Sequence, residues 1–152
     1  MSELAKSIAS SSAKELIDVV LYYQVITNKY GNTVFRTIPE DKAKEMLEKE
    51  DTKKSVEVLN TKWKVTTWKE QNSVIQRSQK TNPDTLQHEI EWTMYRDAMI
   101  KSFLVAWDLE DDGKKIPVNP ANIDNLPADI VLALYNKYER ATNIDPEQEG
   151  KL

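Results

Sequence analysis

One stretch of the sequence, residues 84–107, constrains the fold most, because apolar side chains recur along it at helical spacing. Trp92, Tyr95, Met99 and Phe103 follow one another at intervals of a helical turn, which places them on one flank of a helix. Other apolar side chains cover most of the remaining surface of this helix: Leu86, Ile90, Met94, Ile100, Leu104 and Trp107. A helix that is apolar on nearly every side is buried among other elements. The stretch therefore predicts one long central helix.

The N-terminal third of the chain has a different texture, dominated by β-branched and aromatic residues. Two such runs, residues 18–26 and 33–38, flank the turn-forming residues 28–32, which include a glycine. Runs joined by a short glycine-containing loop predict a β-hairpin. Apolar and polar residues alternate in 56–66, which predicts a third strand beside the hairpin. A helical interpretation of residues 13–25 also stays open, because the first of them favour helix.

Three further segments carry helix signals. Residues 39–50 begin with a proline and two acidic residues, which suit the first turn of a helix. Thr67 and Glu70 have the spacing of a capping box, so a helix should begin there and end near Lys80. A last helix should begin at Pro127, since apolar residues recur after it at helical spacing.

These elements predict a single α+β domain that is mainly α-helical. We expect about four helices packed around the central buried helix 84–107, with a small antiparallel β-hairpin or sheet near the N-terminus. The globular part should span residues 15–143. A serine-rich segment, 1–14, and an acidic segment, 144–152, should form mobile tails. The length of 152 residues suits one domain of this kind.

The composition excludes several classes of function. The chain has no cysteine and a single histidine, which rules out disulfides and argues against a multi-histidine metal site. A net charge of -4 argues against a general nucleic-acid binder. No apolar run approaches the ~20 residues that span a membrane, and the N-terminus lacks the apolar stretch of a secretory signal. We therefore expect a cytoplasmic protein without membrane or nucleic-acid partners, and the sequence indicates no cofactor.

An acidic segment after the predicted central helix raises the question of calcium. Asp108, Glu110 and Asp112 occupy the first, third and fifth positions of an EF-hand loop, and Gly113 occupies the sixth. The twelfth position needs a bidentate glutamate and holds Asn119 instead. The segment is more simply an acidic turn closed by its glycine.

A paired-carboxylate site is a second chemical hypothesis. Glu91 and Asp97 lie in the predicted central helix, and two carboxylates can share general acid–base work. An ion pair from Asp97 to Lys101, one turn further on, explains the same residues. His88 has no other histidine to work with. The sequence therefore predicts a protein that is not an enzyme.

The four tryptophans are the remaining candidates for a binding site. Most tryptophans of a small domain lie in its core, but tryptophan is also enriched among the residues that dominate binding energy at interfaces. We predict that Trp63, Trp68 and Trp107 are the candidates for partner binding, and we expect Trp92 in the core.

The C-terminal half has a recognisable layout. Residues 103–109 (FLVAWDL) end a helix, and an acidic glycine turn follows at 111–114 (DDGK). A proline-rich turn occupies 116–123 (IPVNPANI), and a leucine and a proline at 126–127 begin the last helix. This layout resembles small tail proteins of bacteriophages, the tail assembly chaperones in particular. The helix start at 66–70 (TTWKE) resembles the threonine–aromatic–glutamate start of the same family.

The resemblance covers about residues 61–140 and departs from the family in the N-terminal hairpin. It implies a non-enzymatic protein of tail morphogenesis, which binds the tape-measure protein in the host cytoplasm until tail-tube subunits polymerise around it. A structural virion subunit of the neck, tail or baseplate, retained in the mature particle and self-associating as a homo-oligomer, is the first alternative. A small metal-binding module or enzyme is the second.

Overall fold

The structure is a computed structural model that describes residues 2–5 and 16–142. The largest sheet in that part of the chain is antiparallel and has four strands: β1 (Leu16–Thr27), β2 (Thr33–Ile38), β3 (Glu57–Lys64) and β6 (Leu104–Trp107). Their order is β2-β1-β3-β6. Two short hairpins complete the strands: β4 (Gln79–Thr81) pairs with β5 (His88–Ile90), and β7 (Glu110–Asp111) pairs with β8 (Lys114–Lys115).

Within the described residues, six helices connect or cover these strands, besides a helical turn at residues 3–5. They are α1 (Glu40–Glu48), α2 (Glu50–Lys53), α3 (Trp68–Arg77), α4 (Trp92–Phe103), α5 (Pro120–Asp124) and α6 (Ala128–Thr142). Helix α6 packs along β1 and β2. The Lys137 ammonium of α6 donates a hydrogen bond of 2.7 Å to the Val20 carbonyl, at a point of β1 that the paired residues of β2 do not reach. This bond fastens the last helix to the sheet.

The main hydrophobic core lies between one face of the sheet and helices α3, α4 and α6. Strand β1 contributes Val19 and Leu21, and β3 contributes Leu59 and Trp63, because alternate residues of a strand point to the same face. Strand β6 contributes Leu104, and the helices contribute the other large members: Val74, Met99, Ile100, Phe103, Ile123, Ile130, Leu134, Tyr135 and Tyr138.

A second, smaller cluster lies where β2 leads into α1. It contains Ile38, Ala43 and Val56, with Tyr22 packed against it. The sheet is therefore covered on one face by the main core and near one end of the other face by α1.

The prediction of a mainly α-helical domain around a central helix 84–107 is wrong. The sheet occupies the centre, and the strand content exceeds a small N-terminal hairpin. Residues 84–107 divide into a turn, strand β5, the helix α4 and the strand β6. Apolar residues at helical spacing occur in all four pieces, so the pattern did not reveal where the helix begins and ends.

The first part of the predicted central helix is a hairpin loop because Asn82 stabilises a turn. The Asn82 side-chain oxygen accepts a hydrogen bond of 2.9 Å from the backbone amide of Asp84. The backbone amide of Asn82 donates to the Gln87 carbonyl at 2.9 Å. Leu86 takes a positive φ of 60° in this loop. Asparagine side chains that bond nearby amides compete with helix formation. The helix begins later, at Trp92, where the Glu91 carboxylate accepts from the Thr93 amide at 3.2 Å.

The last part of the predicted central helix is strand β6 because β3 offers it a free edge. Thr61 pairs with Trp107 and Lys62 with Ala106. Asp108 then closes the pairing, since its carboxylate accepts from the Asn60 amide at 3.0 Å and from the Asn60 side chain at 2.7 Å. These tertiary contacts override the helical spacing of the sequence.

Several local predictions agree with the structure. Strands β1 and β2 pair as a hairpin, with Gly31 at a φ of 81° in the loop, and β3 is the third strand beside it. The helical alternative for 13–25 is wrong from Leu16 onward, and its first residues lie outside the described part. The Thr67 hydroxyl caps α3 by accepting from the Glu70 amide at 3.3 Å. The predicted tails lie outside the described residues, except for residues 2–5.

Burial of tyrosines makes the stability of this fold sensitive to alkaline pH. Desolvation raises the pKa of Tyr23 from 10.0 to about 12, with a further contribution from its hydrogen bond to Glu57. Desolvation also raises the pKa of Tyr135 and Tyr138. Below pH 10 the folded and unfolded chains both keep these protons; between pH 10 and 12 the unfolded chain loses them first. The stability linked to these phenols is therefore present below pH 10 and lost as the pH rises towards 12.

We accordingly expect the urea midpoint of unfolding to fall steadily above pH 10. Circular dichroism would follow unfolding, and absorbance at 295 nm would follow phenolate formation. Tyr23→Phe removes one of the linked protons, so its midpoint should fall less steeply with pH than that of the unmodified chain. Equal slopes for the two proteins would contradict the linkage to Tyr23.

Candidate partner-binding groove

Trp63 is a core residue and is not accessible to a partner. Its side chain is 0% exposed and stacks on the Tyr138 ring, with ring centroids 4.5 Å apart and planes 17° apart. The indole nitrogen donates to the Thr61 hydroxyl at 2.8 Å, and that hydroxyl donates to the Val19 carbonyl at 2.7 Å. The indole therefore links β3, α6 and β1.

Trp107 is half-buried at the edge of the main core. Its indole nitrogen donates a hydrogen bond of 2.6 Å to the Ile116 carbonyl, which holds the segment after β8 against the sheet. This bond gives Trp107 a structural role in β6.

Trp68 is the exposed member of the predicted set. Its side chain is 78% exposed, at the first position of α3. Beside it a groove of about 360 Å³ opens between the start of α3, α4 and the end of α6. Val65 and Trp68 line one part of the groove, and the other large side chains that line it are Tyr95, Met99 and Tyr138. We call this feature the aromatic groove.

Trp92 extends the aromatic surface beyond the groove. It is 66% exposed, and its ring meets the Tyr95 ring edge-on at a centroid distance of 5.5 Å. Tyr95 therefore lines the groove together with one exposed indole, Trp68, and contacts a second, Trp92. Large exposed aromatic side chains that converge on one groove mark an interaction surface.

Hydrogen bonds hold the Tyr138 ring in position beside the groove. Its hydroxyl donates to the Lys64 carbonyl at 2.7 Å, so the Thr66 hydroxyl, 2.9 Å away, donates to Tyr138. On the other side of the ring lies Trp63. The Tyr138 side chain is 1% exposed, so it supports the groove from within the core and offers a partner almost no surface.

One lining residue of the groove is an acid, Glu139. Burial raises the pKa of Tyr135, and a hydrogen bond to Glu139 raises it further, so the phenol stays neutral at pH 7. Burial also raises the pKa of Tyr138. The groove therefore combines aromatic side chains with the polar side chains of Thr66, Thr67, Gln71 and Thr142, and it has a carboxylate at its rim. This lining suits a partner segment that presents both apolar and polar side chains, with a basic residue next to Glu139.

The acidic segment after β6 does not form a calcium loop. Both carboxylate oxygens of Asp108 accept hydrogen bonds from Asn60. Asp112 and Gly113 take positive φ values of 52° and 78° at the tip of the hairpin between β7 and β8, as a type I′ turn requires. Cross-strand pairing then places acidic residues opposite Lys114 and Lys115. In the described part of the chain, no group of three or more acidic, cysteine or histidine residues is placed to hold a metal ion.

The paired-carboxylate hypothesis also finds no site. Glu91 caps α4 through Thr93, and Asp97 pairs with Lys101 at 3.1 Å. Lys101 also reaches Asp124 at 2.8 Å. His88 lies in β5 and not in a helix, exposed, with its ring nitrogen 3.4 Å from the Thr81 hydroxyl. These groups act as a cap, an ion-pair network and a strand residue.

Sequence reasoning missed Tyr95, which lines the groove, and Trp92, which lies beside it. Helical spacing with Met99 and Phe103 predicts the core for both. A signal was present: Trp68 and Trp92 each follow a capping residue directly, so each is the first residue of its helix. Only the packing of α3 against α4 reveals that both tryptophans lie near Tyr95.

No family model, curated protein or solved structure matches this chain. Among the described residues, the helices are too short or too polar for any of them to cross a membrane. The groove itself is therefore the basis for a functional proposal.

Proposed function

We propose that this protein is a non-enzymatic assembly protein that binds an apolar helical segment of a partner protein in the aromatic groove. The observation that carries the proposal is the exposure of two tryptophans near Tyr95: Trp68 lines the same groove as Tyr95, and Trp92 contacts the Tyr95 ring. Tryptophan and tyrosine are the residues that most often dominate binding energy at protein interfaces.

The shape and charge of the groove favour one kind of partner segment. A helix can present apolar side chains at positions i, i+3, i+4 and i+7 to a groove of this kind. Glu139 at the rim favours a lysine or arginine on the partner next to those apolar positions. An amphipathic helix with a basic edge meets both conditions.

The resemblance to bacteriophage tail assembly chaperones supports a specific partner. The named groove residues, from Val65 to Glu139, all fall within the resembling region 61–140. We therefore propose that the partner is the tape-measure protein of a phage tail, a long protein with exposed apolar helical segments before the tail tube forms around it. The site of action would be the host cytoplasm during assembly.

Quantitative mass spectrometry of purified mature particles, beside the infected-cell lysate, tests the assembly role. A protein that acts only during assembly should be abundant in the lysate and missing from particles. A parallel co-expression with the tape-measure protein should move that protein from the insoluble to the soluble fraction.

Detection at a fixed copy number in particles would overturn the chaperone proposal and favour the alternative of a retained structural subunit. A tape-measure protein that stays insoluble despite co-expression would argue against the proposed partner. An unrelated soluble domain of similar size, co-expressed at the same level, is the control for nonspecific effects on solubility.

A further inference from the structure

Strand β2 is an edge of the main sheet with little protection. No described strand pairs with its outer side, and alternate residues of an edge strand direct free backbone donors and acceptors outward. Of its six residues, TVFRTI, only Arg36 is charged, and none is a lysine or proline. Charged residues and proline are the usual devices that prevent an edge from pairing with another chain.

The hairpin of β1 and β2 extends past the third strand. Pairing between β1 and β3 ends at Tyr23 and Glu57, whereas pairing between β1 and β2 continues to Thr27 and Thr33. Helix α6 packs against both strands of the hairpin. Helix α6 therefore borders the free edge of β2.

A groove of about 540 Å³ lies between β2 and α6. The strand side includes residues from Val34 to Thr37. The helix side is a stripe with the spacing of one helix face, made of Asp129, Leu132, Ala133 and Asn136. This groove shares no lining residue with the aromatic groove.

We infer that the groove receives an extended segment of a partner protein, which adds to β2 as a further strand. An edge strand beside a helix is the arrangement that strand addition uses: backbone hydrogen bonds hold the segment, and alternate side chains enter the groove. Successive residues of β2 point to opposite faces, and Phe35 points to the core, so Arg36 points away from it. The added segment should carry aliphatic side chains on the face of Phe35.

The charge of Arg36 indicates which side chains the opposite face of the added segment should carry. Arg36 is exposed and has no ion pair among the described residues. Acidic residues beside Arg36 on the added strand would supply its partner. Asp129 lines the groove from the helix side, so the residues of the segment that face the helix should be uncharged. A second copy of β2 would instead bring a second Arg36 to the same junction, so the occupant is an acidic, aliphatic segment of another protein.

Two fluorescent octapeptides test this inference, one of alternating valine and glutamate and one of alternating valine and lysine. Fluorescence anisotropy on the full chain should show that the lysine peptide binds about tenfold more weakly. Amide chemical-shift changes caused by the glutamate peptide should concentrate in residues 33–38 and 129–136. Arg36→Glu should reverse the preference between the peptides.

Lys80→Glu is the matched control, because it makes the same charge change on the separate strand β4. It should leave both affinities within about twofold of the original values. Equal binding of the two peptides, shift changes elsewhere, or no binding by the glutamate peptide would each overturn the inference. Sedimentation velocity could also overturn the inference, by detecting a concentration-dependent dimer that Arg36→Glu disrupts. In that case β2 would pair with its own copy. If Trp68→Ala or Trp92→Ala abolished binding of either peptide, the peptide would occupy the aromatic groove and not the groove beside β2. That result would also overturn the inference.

Discussion

Replacing Trp63 with alanine is expected to lower the free energy of unfolding by about 4 kcal/mol, the middle of the range for a buried large aromatic residue. The indole is fully buried, stacks on Tyr138 and donates its hydrogen bond to Thr61. The variant loses the apolar contacts, leaves a cavity between sheet and α6, and removes the donor. Urea unfolding at pH 7, followed by far-ultraviolet circular dichroism, measures the change.

Trp68→Ala is the matched control for that experiment, since it deletes the same side chain from an exposed position. Its free energy of unfolding should change by less than about 0.5 kcal/mol. Trp63→Phe keeps an aromatic ring in the core and should fold even where Trp63→Ala fails, at a cost of about 1–2 kcal/mol. A similar cost for Trp63→Ala and Trp68→Ala would contradict the burial that distinguishes them.

The second large effect concerns binding. Trp68→Ala and Trp92→Ala should each weaken binding of the proposed partner, the tape-measure protein, by about 30-fold, the equivalent of about 2 kcal/mol, while the fold remains intact. Both indoles are exposed, so their removal should delete partner contacts rather than core contacts. Isothermal titration calorimetry with an apolar helical peptide of that protein gives the affinity.

Tyr30→Ala is the control for this measurement. Tyr30 is 75% exposed in the hairpin loop between β1 and β2 and does not line the aromatic groove. Its removal should change the affinity by less than about twofold. If Tyr30→Ala weakens binding as much as the tryptophan variants do, general surface hydrophobicity and not the groove would explain binding.

Trp63→Ala and Trp68→Ala should have opposite effects, which separates a loss of stability from a loss of binding. Trp63→Ala should lower stability strongly, and any loss of binding should follow the loss of fold. Trp68→Ala should weaken binding strongly and leave the stability of the fold almost unchanged. Folded protein is measured independently by circular dichroism, so a binding defect in a fully folded Trp68→Ala variant can be assigned to the groove.

Sequence reasoning succeeded where the decisive interactions lie close together along the chain. The cap between Thr67 and Glu70 spans three residues, and its geometry depends on few distant groups. The hairpin of β1 and β2 follows from β-branched runs around a short loop with Gly31 at positive φ. Such signals combine intrinsic propensity with local hydrogen bonding, so they can be interpreted without knowing the fold.

The central helix failed as a prediction because its evidence was apolar periodicity alone. Leu104 and Trp107 fit a helical flank, yet they lie in β6, where β3 supplies a hydrogen-bonded partner from more than forty residues earlier in the chain. Trp92 and Phe103 share a flank in the sequence pattern, yet Phe103 is 0% exposed and Trp92 is 66% exposed. Burial at each end of α4 depends on neighbours that periodicity does not specify.

By itself the sequence determined the cap at Thr67, the β-hairpin with its Gly31 turn and the absence of disulfides, because each depends on residue type or on neighbours a few positions away. Tertiary structure alone decided that the sheet forms the centre, that Trp63 is buried and that Trp68 and Trp92 converge on Tyr95. The same indole can release free energy in a core or at an interface, since both remove it from water. Which of the two occurs depends on what the rest of the chain places beside it.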